Sequence, residues 1–572
     1  MGERSRPDAD GPGTAHYTGL VTELSALASA RIVVAELLDG GVRHVAVSPG
    51  SRSAPLAYAL AEAEAEGRLT LHVRIDERAA AFTALGVILG SGAPAAVVVT
   101  SGTAVGNLLP AVMEADHVGA PLVVLSADRP LELRGTGASQ TTEQMDLFGE
   151  HARFAVDVPA GDDPQRGIRT ALSAATGAFE ELPPGPVQVN LAFRDPLLPG
   201  PDAEFPAASE RRPFHFAPDP APIHYDAPDG LAEHRTLVLA GHDAGPIAEA
   251  FARAHGLPLA AEPSSNARFG PNAVGPYRLL LDRFGPESAE PLERVVVFGR
   301  PTLSRPVTAL LARQDIPLAL YEPVPVAWYQ PGRRLERPIS TLRELSEFAG
   351  VAPEGWLDTW LLAGEKAQHG IEQVLAQEPG LTGPAVAAAV WASARGQLVL
   401  GSSNGIRDAD LAAAPTLDPL ATVQANRGLA GIDGMTSTAV GVALGSGRET
   451  TLLCGDVTFL HDAGGLFLGA GEAEPDLRVV VLNDQGGAIF STLEHGALGG
   501  GYEAAVERLF GTPHTVRLDA LAAAYGVPHR AVTTTAELDA ALAEPVRGRS
   551  VLEVRCSRDG IRDLHARIRE AL

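Results

Sequence analysis

Cysteine and lysine are almost missing from this chain of 572 residues. The two cysteines, Cys454 and Cys556, lie far apart in the sequence and have no metal-ligand spacing. They rule out a disulfide framework and fit a reducing cytosol. Lys366 is the single lysine, so nearly all basic residues are arginines. Because Ala, Gly, Pro and Arg are abundant throughout, an isolated arginine carries little information about function.

Long apolar runs and a positive charge excess are missing as well. The longest apolar stretches, such as 122–125 and 479–482, are far shorter than the about 20 residues of a membrane span and predict buried strands. The net charge of −25 argues against nucleic acid or an anionic membrane as a partner, since no overall positive field would hold either. Residues 1–20 contain no apolar signal core, and we expect a disordered tail and a cytoplasmic protein.

Strand-like and helix-like segments alternate along most of the chain. The pattern predicts helices at 26–38, from Ala54 and from Glu77, and strands at His44–Val47, 95–99 and 122–126. Such alternation is typical of βαβ units, so the predicted fold class is α/β with three doubly wound parallel-sheet domains. The predicted divisions are a tail at 1–20, a first α/β domain at 21–200, a proline-rich linker at 201–230, a central α/β domain at 231–355 and a third α/β domain at 356–572.

Acidic residues follow two predicted strands of the third domain. Asp456 comes after the strand in TLLCGDVTF, and Asp484 after the strand in VVVLNDQGG. The carboxyl ends of parallel strands form the usual ligand crevice, where a divalent cation finds oxygen ligands and a helix N-terminus favours phosphate. We therefore predict a metal site formed by Asp456, Asp484 and a backbone carbonyl near Gly486. Taken alone, Gly-Asp and Asn-Asp are also ordinary turn pairs.

These two segments resemble the Gly-Asp-Gly and Asn-Asn diphosphate motif of thiamine-diphosphate enzymes. Val457 stands where the motif has its second glycine, and Asp484 where it has its second asparagine; aspartate remains an oxygen ligand. The resemblance implies thiamine diphosphate with Mg²⁺ (or Mn²⁺) as cofactors. It also implies a buried glutamate that activates the aminopyrimidine of the cofactor, and Glu77 in HVRIDERAAAF matches that position. A lone Glu77 would be an ordinary acidic residue at a helix N-terminus.

A closer resemblance extends through all three predicted domains. The segments that carry it are SPGSRSAPLA, DERAAAFTALG, TSGTAVGNLLPAVMEA, LSADRPLEL, GASQTTEQ, NRGLAGIDGMTSTAVG and NDQGGAIFSTLE. Together they are similar to the family of 2-succinyl-5-enolpyruvyl-6-hydroxy-3-cyclohexene-1-carboxylate synthases. The family implies three domains of the thiamine-diphosphate enzyme type. It also implies a transferase that decarboxylates 2-oxoglutarate and adds the succinyl unit to isochorismate in a 1,4 manner, in menaquinone biosynthesis.

The resemblance also implies which residues form the site. The catalytic residues are Glu77, Gln140, Ser51 and Arg52. The cofactor-binding residues are Glu77, Gly455, Asp456, Val457, Ile432, Gly431 and Ser403. The substrate-binding residues are Arg52, Arg129, Arg305, Ser403, Arg407, Arg427, Ile489 and Phe490, and the metal ligands are Asp456, Asp484 and Gly486. Arginine suits these polyanionic substrates because its planar fork binds carboxylates bidentately.

Two positions depart from the family pattern. Ser304 stands where the family often has lysine, so the resemblance does not carry one cationic contact over to this chain; Ser139 stands where the family has asparagine, a milder loss of an amide. In this superfamily the glutamate and the diphosphate motif of one site come from different subunits. The resemblance therefore implies a homodimer or homotetramer with sites at the subunit interface, small-molecule partners (2-oxoglutarate and isochorismate), and neither nucleic acid nor integral membrane association.

Three other interpretations predict different features. Another carboligase of the superfamily, such as an acetohydroxyacid-synthase-like enzyme, would have a flavin-binding middle domain and would lack the arginine-containing turns SPGSRS and SADRP. A non-catalytic relative would have lost Glu77 or Asp456, and both are present. A dinucleotide-binding dehydrogenase would open a βαβ unit with Gly-x-Gly-x-x-Gly, which we do not find.

Overall fold

The computed structural model describes residues 23–179, 182–209, 223–330 and 332–571. The tail predicted at 1–20 and the middle of the linker predicted at 201–230 lie outside these residues. The described part contains three parallel sheets, each flanked by helices. The predicted α/β fold class is confirmed. The domain boundaries stay a prediction.

The first sheet has six strands in the order β2-β1-β3-β4-β6-β5. The strands are β1 His44–Val47, β2 Thr70–Val73, β3 Ala95–Val99, β4 Leu122–Asp128, β5 Phe154–Val158 and β6 Val187–Ala192. The helices are α1 Ala26–Asp39, α2 Ala54–Ala65, α3 Glu77–Ser91, α4 Thr103–Gly106, α5 Leu109–Val118 and α6 Gln165–Ala175. Helices cover both faces, so β3 and β4 are buried throughout; β3 is entirely apolar, and β4 is apolar from Leu122 to Leu125.

The second sheet has five strands in the order β11-β10-β9-β7-β8. The strands are β7 Thr236–Ala240, β8 Leu259–Ala261, β9 Arg294–Phe298, β10 Leu318–Tyr321 and β11 Arg337–Ile339. The helices are α7 Ile247–His255, α8 Arg305–Leu311, α9 Leu342–Ala349 and α10 Trp356–Ala376. Trp356 and Trp360 at the start of α10 pack into the core of this sheet, whereas Ile371 packs against α19 (Ile561–Glu570). This packing favours a central domain that extends beyond the predicted boundary at 355.

The third sheet has six strands in the order β13-β12-β14-β15-β17-β16. The strands are β12 Gln397–Leu400, β13 Thr422–Gln424, β14 Thr450–Gly455, β15 Leu477–Asn483, β16 His529–Val532 and β17 Arg549–Arg555. The further helices are α11 Gly383–Ser393, α12 Asn404–Ala412, α13 Met435–Ser446, α14 Asp456–His461, α15 Ile489–Thr492, α16 Glu503–Val506, α17 Leu518–Ala524 and α18 Thr535–Leu542. Numbered within its own sheet, this strand order is that of the first sheet, so the two units share one topology.

Short helical turns complete the described secondary structure. They are 3-10 turns at Leu131–Leu133, Gly149–His151, Pro263–Ser265, Tyr277–Leu279, Leu281–Phe284, Ala463–Leu466 and Glu494–Ala497, and a π-helical turn at Glu507–Gly511. None of the helices within the described ranges has the length and apolar character that a bilayer crossing requires.

Helices α3 and α13 join the first and third sheets through glycines. A Cβ atom at Gly86 would lie 2.0 Å from the carbonyl oxygen of Thr438, and a Cβ atom at Gly441 would lie 2.1 Å from that of Thr83. The two backbones therefore approach more closely than any residue with a side chain permits. The position of the first sheet relative to the third depends on this contact.

We expect the substitution Gly86→Ala to destabilise the protein, because the added methyl group forces α3 and α13 apart. Overpacking of this kind costs about 1–3 kcal/mol. Gly106→Ala is the matched control, because a Cβ atom there meets nothing within 4 Å. Thermal unfolding followed by circular dichroism measures the difference. Equal unfolding temperatures for the two variants would show that the glycine contact does not hold the sheets together.

Candidate active site

A cavity of about 350 Å³ opens at the carboxyl ends of β12, β14 and β15. Ser403, Asp456 and Asp484 follow these three strands and line the cavity. All of its described lining residues lie between 378 and 564, so within one chain the wall comes from the third sheet, its helices and loops, and the end of the segment before α11. The two predicted metal-binding carboxylates therefore meet at one site, as we expected from the strand ends.

Asp456 is buried and firmly held. Its Oδ1 accepts the N–H of Val457 at 2.6 Å, and its Oδ2 accepts the N–H of Gly486 at 3.0 Å. The Nε2 atom of His514 lies 3.1 Å from the same Oδ2. Burial raises the pKa of Asp456, although the contacts with His514 and the two N–H groups oppose the rise. The carboxylate of Asp456 is thus hydrogen-bonded to two other predicted site residues, Val457 and Gly486.

Asp484 lacks a complete set of hydrogen bonds. Its Oδ1 atom is buried and has no partner among the described residues. Burial, together with the negative charge of Asp456, raises the pKa of Asp484 to about 7. An orphaned carboxylate oxygen beside a second carboxylate is the environment that a hard cation stabilises, because the cation removes the repulsion and fills the empty acceptor site. The residues therefore fit a divalent metal ion.

The cavity also has room for a diphosphate group beside this loop. Gly455 lines the cavity, and a Cβ atom there would meet no atom within 4 Å. The next residue, Asp456, begins the short helix α14. Val457, which replaces the second glycine of the motif, also lines the cavity. Gly455 and Val457 are predicted to bind the diphosphate, and both border open space.

Ser403 and Arg407 form another wall. Ser403 has φ of 83° and ψ of −137°, a conformation that residues with a side chain rarely adopt. Its carbonyl oxygen accepts a hydrogen bond of 2.7 Å from Nη1 of Arg407, and burial lowers the pKa of that guanidinium. Backbone strain of this kind is concentrated at functional sites, where surrounding contacts maintain it.

Apolar side chains complete the cavity. Ile432, Ile489 and Phe490 line it, and the ring of Phe490 packs against that of Phe510 at 5.4 Å between centroids. Gly431 is not among the described lining residues, so its prediction has no contact that supports it.

Arg52 and Arg129 lie close together at the carboxyl end of the first sheet. Nη1 of Arg52 donates to the carbonyl oxygen of Phe193 at 2.8 Å, and Nη1 of Arg129 donates to Oγ of Ser101 at 2.7 Å. Burial first, and then the charge of Arg129, lowers the pKa of Arg52. Two neighbouring guanidinium groups form a local positive patch on an acidic protein, which suits an anionic substrate.

Ser51 and Gln140 are exposed near this patch. Gln140 has φ of 54°, and its backbone lies beside Gly102, where a Cβ atom would be 3.4 Å from the Cα atom of Gln140. Ser51 belongs to the turn that follows β1. Neither side chain contacts the cavity of the third sheet within the described chain.

The expectation that Glu77 is buried is not met within one chain. Glu77 starts α3 and is half-buried, and Nδ2 of Asn107 donates to its Oε2 at 3.1 Å. The first turn of α3 lies at the open carboxyl edge of the first sheet, and the apolar part of the helix begins only at Ala79. A single chain therefore leaves this carboxyl group accessible to solvent.

Arg305 and Arg427 have other contacts. Arg305 forms an exposed ion pair with Glu494, and such a pair contributes little to stability. Arg427 is buried and donates to Oγ1 of Thr302 at 2.8 Å from Nη2, with Nη1 at 3.5 Å from Oγ of Ser402. Neither arginine lines the cavity in the described chain. Their roles in binding substrate stay predictions.

The site contains two further polar residues that the sequence motifs do not indicate. Asp408 is buried, lines the cavity and has its pKa raised to about 7 by burial. It follows Arg407 directly, and the polar pattern of α12 could have indicated it. His514 contacts Asp456 but lies 30 residues beyond Asp484 in a loop, where no local pattern marks it.

A larger cavity of about 560 Å³ lies between the three sheets. Its lining is mostly apolar and includes Arg268, whose guanidinium already donates to the carbonyl oxygens of Ala261 at 2.5 Å and Ala413 at 2.8 Å. It lacks the paired carboxylates of the smaller cavity. The smaller cavity therefore fits the predicted cation and phosphate better.

Comparison with known proteins agrees with this geometry. Residues 28–147 match the family described as thiamine pyrophosphate enzyme, N-terminal TPP binding domain, and residues 411–554 match the corresponding C-terminal TPP binding domain. A 2-succinyl-5-enolpyruvyl-6-hydroxy-3-cyclohexene-1-carboxylate synthase from Arthrobacter sp. (strain FB24) is 68% identical over 552 residues, which cover 96% of this chain and 92% of the relative. The chain belongs to the 2-succinyl-5-enolpyruvyl-6-hydroxy-3-cyclohexene-1-carboxylate synthase family.

Other members of the family are similar along their whole length. The synthase from Renibacterium salmoninarum is 57% identical over 558 residues, which cover 96% of this chain and 98% of the relative. The synthase from Mycobacterium marinum is 42% identical over 569 residues, which cover 95% and 99%. The two thiamine-pyrophosphate matches fall on the first and third sheets, which are the sheets that carry Glu77 and the paired carboxylates.

We expect Gly455→Ala to weaken the binding of thiamine diphosphate without loss of stability. The methyl group would project into the space beside Asp456 that we predict for the diphosphate, but would meet no atom of the chain within 4 Å. Calorimetric titration with thiamine diphosphate and Mg²⁺ should give an affinity about tenfold or more lower than that of the wild type, since a lost charge-assisted contact is worth about 1.5–3 kcal/mol. Gly464→Ala, also free of contacts within 4 Å, is the control. Unchanged affinity in Gly455→Ala would argue against diphosphate at this loop.

Proposed function

We propose that the chain joins a decarboxylated 2-oxoglutarate unit to isochorismate, forming a carbon–carbon bond and releasing carbon dioxide, as the thiamine-diphosphate-dependent transferase of menaquinone biosynthesis. The product is 2-succinyl-5-enolpyruvyl-6-hydroxy-3-cyclohexene-1-carboxylate. The observation that carries the proposal is the cavity in which Asp456 and Asp484 meet beside the open space at Gly455. Family membership supports the reaction, and the paired carboxylates support this cavity as its proposed location.

The residues fit a cofactor anchored through a cation. Mg²⁺ or Mn²⁺ would bind to Asp456, Asp484 and a backbone carbonyl at Gly486, and the diphosphate would lie along Gly455 and Val457. Thiamine diphosphate, when bound, supplies a nucleophilic carbon and an electron sink. The chain would fix that carbon in place. Ile432, Ile489 and Phe490 would exclude water, and the carboxyl group of Glu77 would accept and return a proton.

The arginines would hold the substrate carboxylates. Arg407 lines the cavity, while Arg52 and Arg129 form a second cationic pair at the end of the first sheet. Two such groups suit a reaction between two polyanions, because each anion needs its own bidentate partner and the two anions repel each other without them. Gln140, Ser51 and Ser403 are proposed to orient the substrates. Arg305 and Arg427 are proposed to bind substrate from outside the cavity lining.

We further propose that each complete site is built from two subunits in a homodimer or homotetramer in the cytosol. Glu77 is half-buried in one chain, and the cavity receives no described wall from the first sheet of the same chain. A second copy that placed its first sheet over the cavity would bury Glu77 and bring Arg52 and Arg129 to the substrates. A twofold interface then creates two equivalent sites.

Replacing Glu77 by Gln is expected to lower kcat by about 100-fold or more, because the amide cannot accept and return the proton that general acid–base catalysis requires. The assay follows the loss of isochorismate absorbance and detects the product by mass spectrometry. Glu150→Gln changes an exposed carboxyl group of the same domain and serves as the control.

Calorimetry should show that Glu77→Gln still binds thiamine diphosphate, although more weakly than the wild type, and retained binding separates the loss of catalysis from a loss of folding. Activity of Glu77→Gln within a few-fold of the control would contradict the assigned role. Release of carbon dioxide by the wild type without consumption of isochorismate would keep the cofactor assignment but overturn the acceptor.

A further inference from the structure

The loop that carries Asp484 is held by a second segment of the chain, residues 510–516, which we call the strap. The N–H of Gly487 donates to the carbonyl oxygen of Gly511 at 2.7 Å, and the N–H of His514 donates to that of Gln485 at 3.4 Å. A Cβ atom at Gly486 would lie 2.3 Å from the oxygen of Gly511. The strap therefore packs directly against the backbone of the loop that carries Asp484.

The strap brings the His514 ring to Asp456. Nε2 of His514 lies 3.1 Å from Oδ2 of Asp456, and the His514 side chain is 13% exposed. The other ring nitrogen, Nδ1, lies 3.3 Å from the backbone nitrogen of Val516, which can only donate. Nδ1 must then be the acceptor, so the neutral ring carries its proton on Nε2 and donates it to Asp456.

This contact leaves Asp456 with a defined set of free lone pairs. Oδ2 accepts from both His514 and Gly486, whereas Oδ1 accepts only from Val457. An ionised carboxylate has about four acceptor sites, two on each oxygen. The remaining site is therefore on Oδ1. A ring that holds Oδ2 also prevents rotation of the carboxylate about its Cβ–Cγ bond.

We propose that His514 is a positioning residue of the metal site, which holds Asp456 through its Nε2–H so that Oδ1 faces the cation. The inference rests on the proposed function, since it assumes that Asp456 is a metal ligand. Partners of this kind around a ligand typically change metal affinity by about 10–100-fold when removed. The strap thereby links residues far from the strand ends to the cofactor.

The test is direct binding of Mn²⁺, with free Mn²⁺ followed by electron paramagnetic resonance. The full chain is stripped of metal with a chelator and titrated with Mn²⁺ in the presence of saturating thiamine diphosphate. His514→Phe keeps a planar ring but has no N–H, and His514→Gln can place an amide N–H near the position of Nε2. His369→Ala, on the exposed face of α10, controls for the loss of a histidine elsewhere.

We expect Mn²⁺ binding about 10–100-fold weaker in His514→Phe, binding within a few-fold of wild type in His514→Gln, and unchanged binding in His369→Ala. Wild-type affinity in His514→Phe would overturn the inference. Equal weakening in the Phe and Gln variants would also overturn it, because the N–H donor would then not be the cause. The wild-type titration separately tests the metal site of the proposed function, because binding there does not depend on the comparison of variants.

Discussion

The repulsion between Asp456 and Asp484 is the constraint on which the site depends. A buried carboxylate (Asp456) and a half-buried one (Asp484) at neighbouring strand ends cannot both be ionised without a large cost in free energy, and one oxygen of Asp484 has no described partner. A cation resolves both problems at once, since it offsets the charge and supplies the missing contact. The open space at Gly455 fits this proposal, because a metal-bound diphosphate would need a volume that no side chain fills.

The rest of the fold positions groups around this proposed cation site. The first and third sheets share one strand order, and each presents its functional residues at the carboxyl ends of its strands. In a parallel sheet these ends lie at one edge, where loops can vary without disturbing the core. The glycine contact between α3 and α13 fixes the two sheets of one chain relative to each other. It leaves Glu77 partly open, which favours completion of the site by another subunit.

Much of this arrangement could be predicted from local pattern. The strands His44–Val47 and Ala95–Val99 and the helix starts at Ala54 and Glu77 have the predicted bounds, because the apolar runs are bounded there by polar residues or proline. Strand β15 extends beyond its predicted bounds, since the buried Arg478 satisfies its charge by donating to the carbonyl oxygens of Leu542 and Glu544.

Contacts distant in sequence could not be predicted in this way. His514 reaches Asp456 only through the strap, and Arg427 is held by Thr302 of another unit. The buried environment that we propose for Glu77 depends on a second subunit, whose position no local pattern describes. Patterns of three to seven residues report which face of an element is buried, but not which loop lies against it.

The most direct test of the account is to mix two inactive variants, Glu77→Gln and Asp456→Asn, after reversible dissociation of the subunits. If each site takes Glu77 from one subunit and Asp456 from another, a mixed dimer has one doubly altered site and one intact site. Random mixing should then restore roughly a quarter of wild-type activity, because half of the dimers are mixed and each has one intact site of two. No recovery beyond the separate variants, with mixed dimers present by mass spectrometry, would mean that each site lies within one chain and would contradict the account.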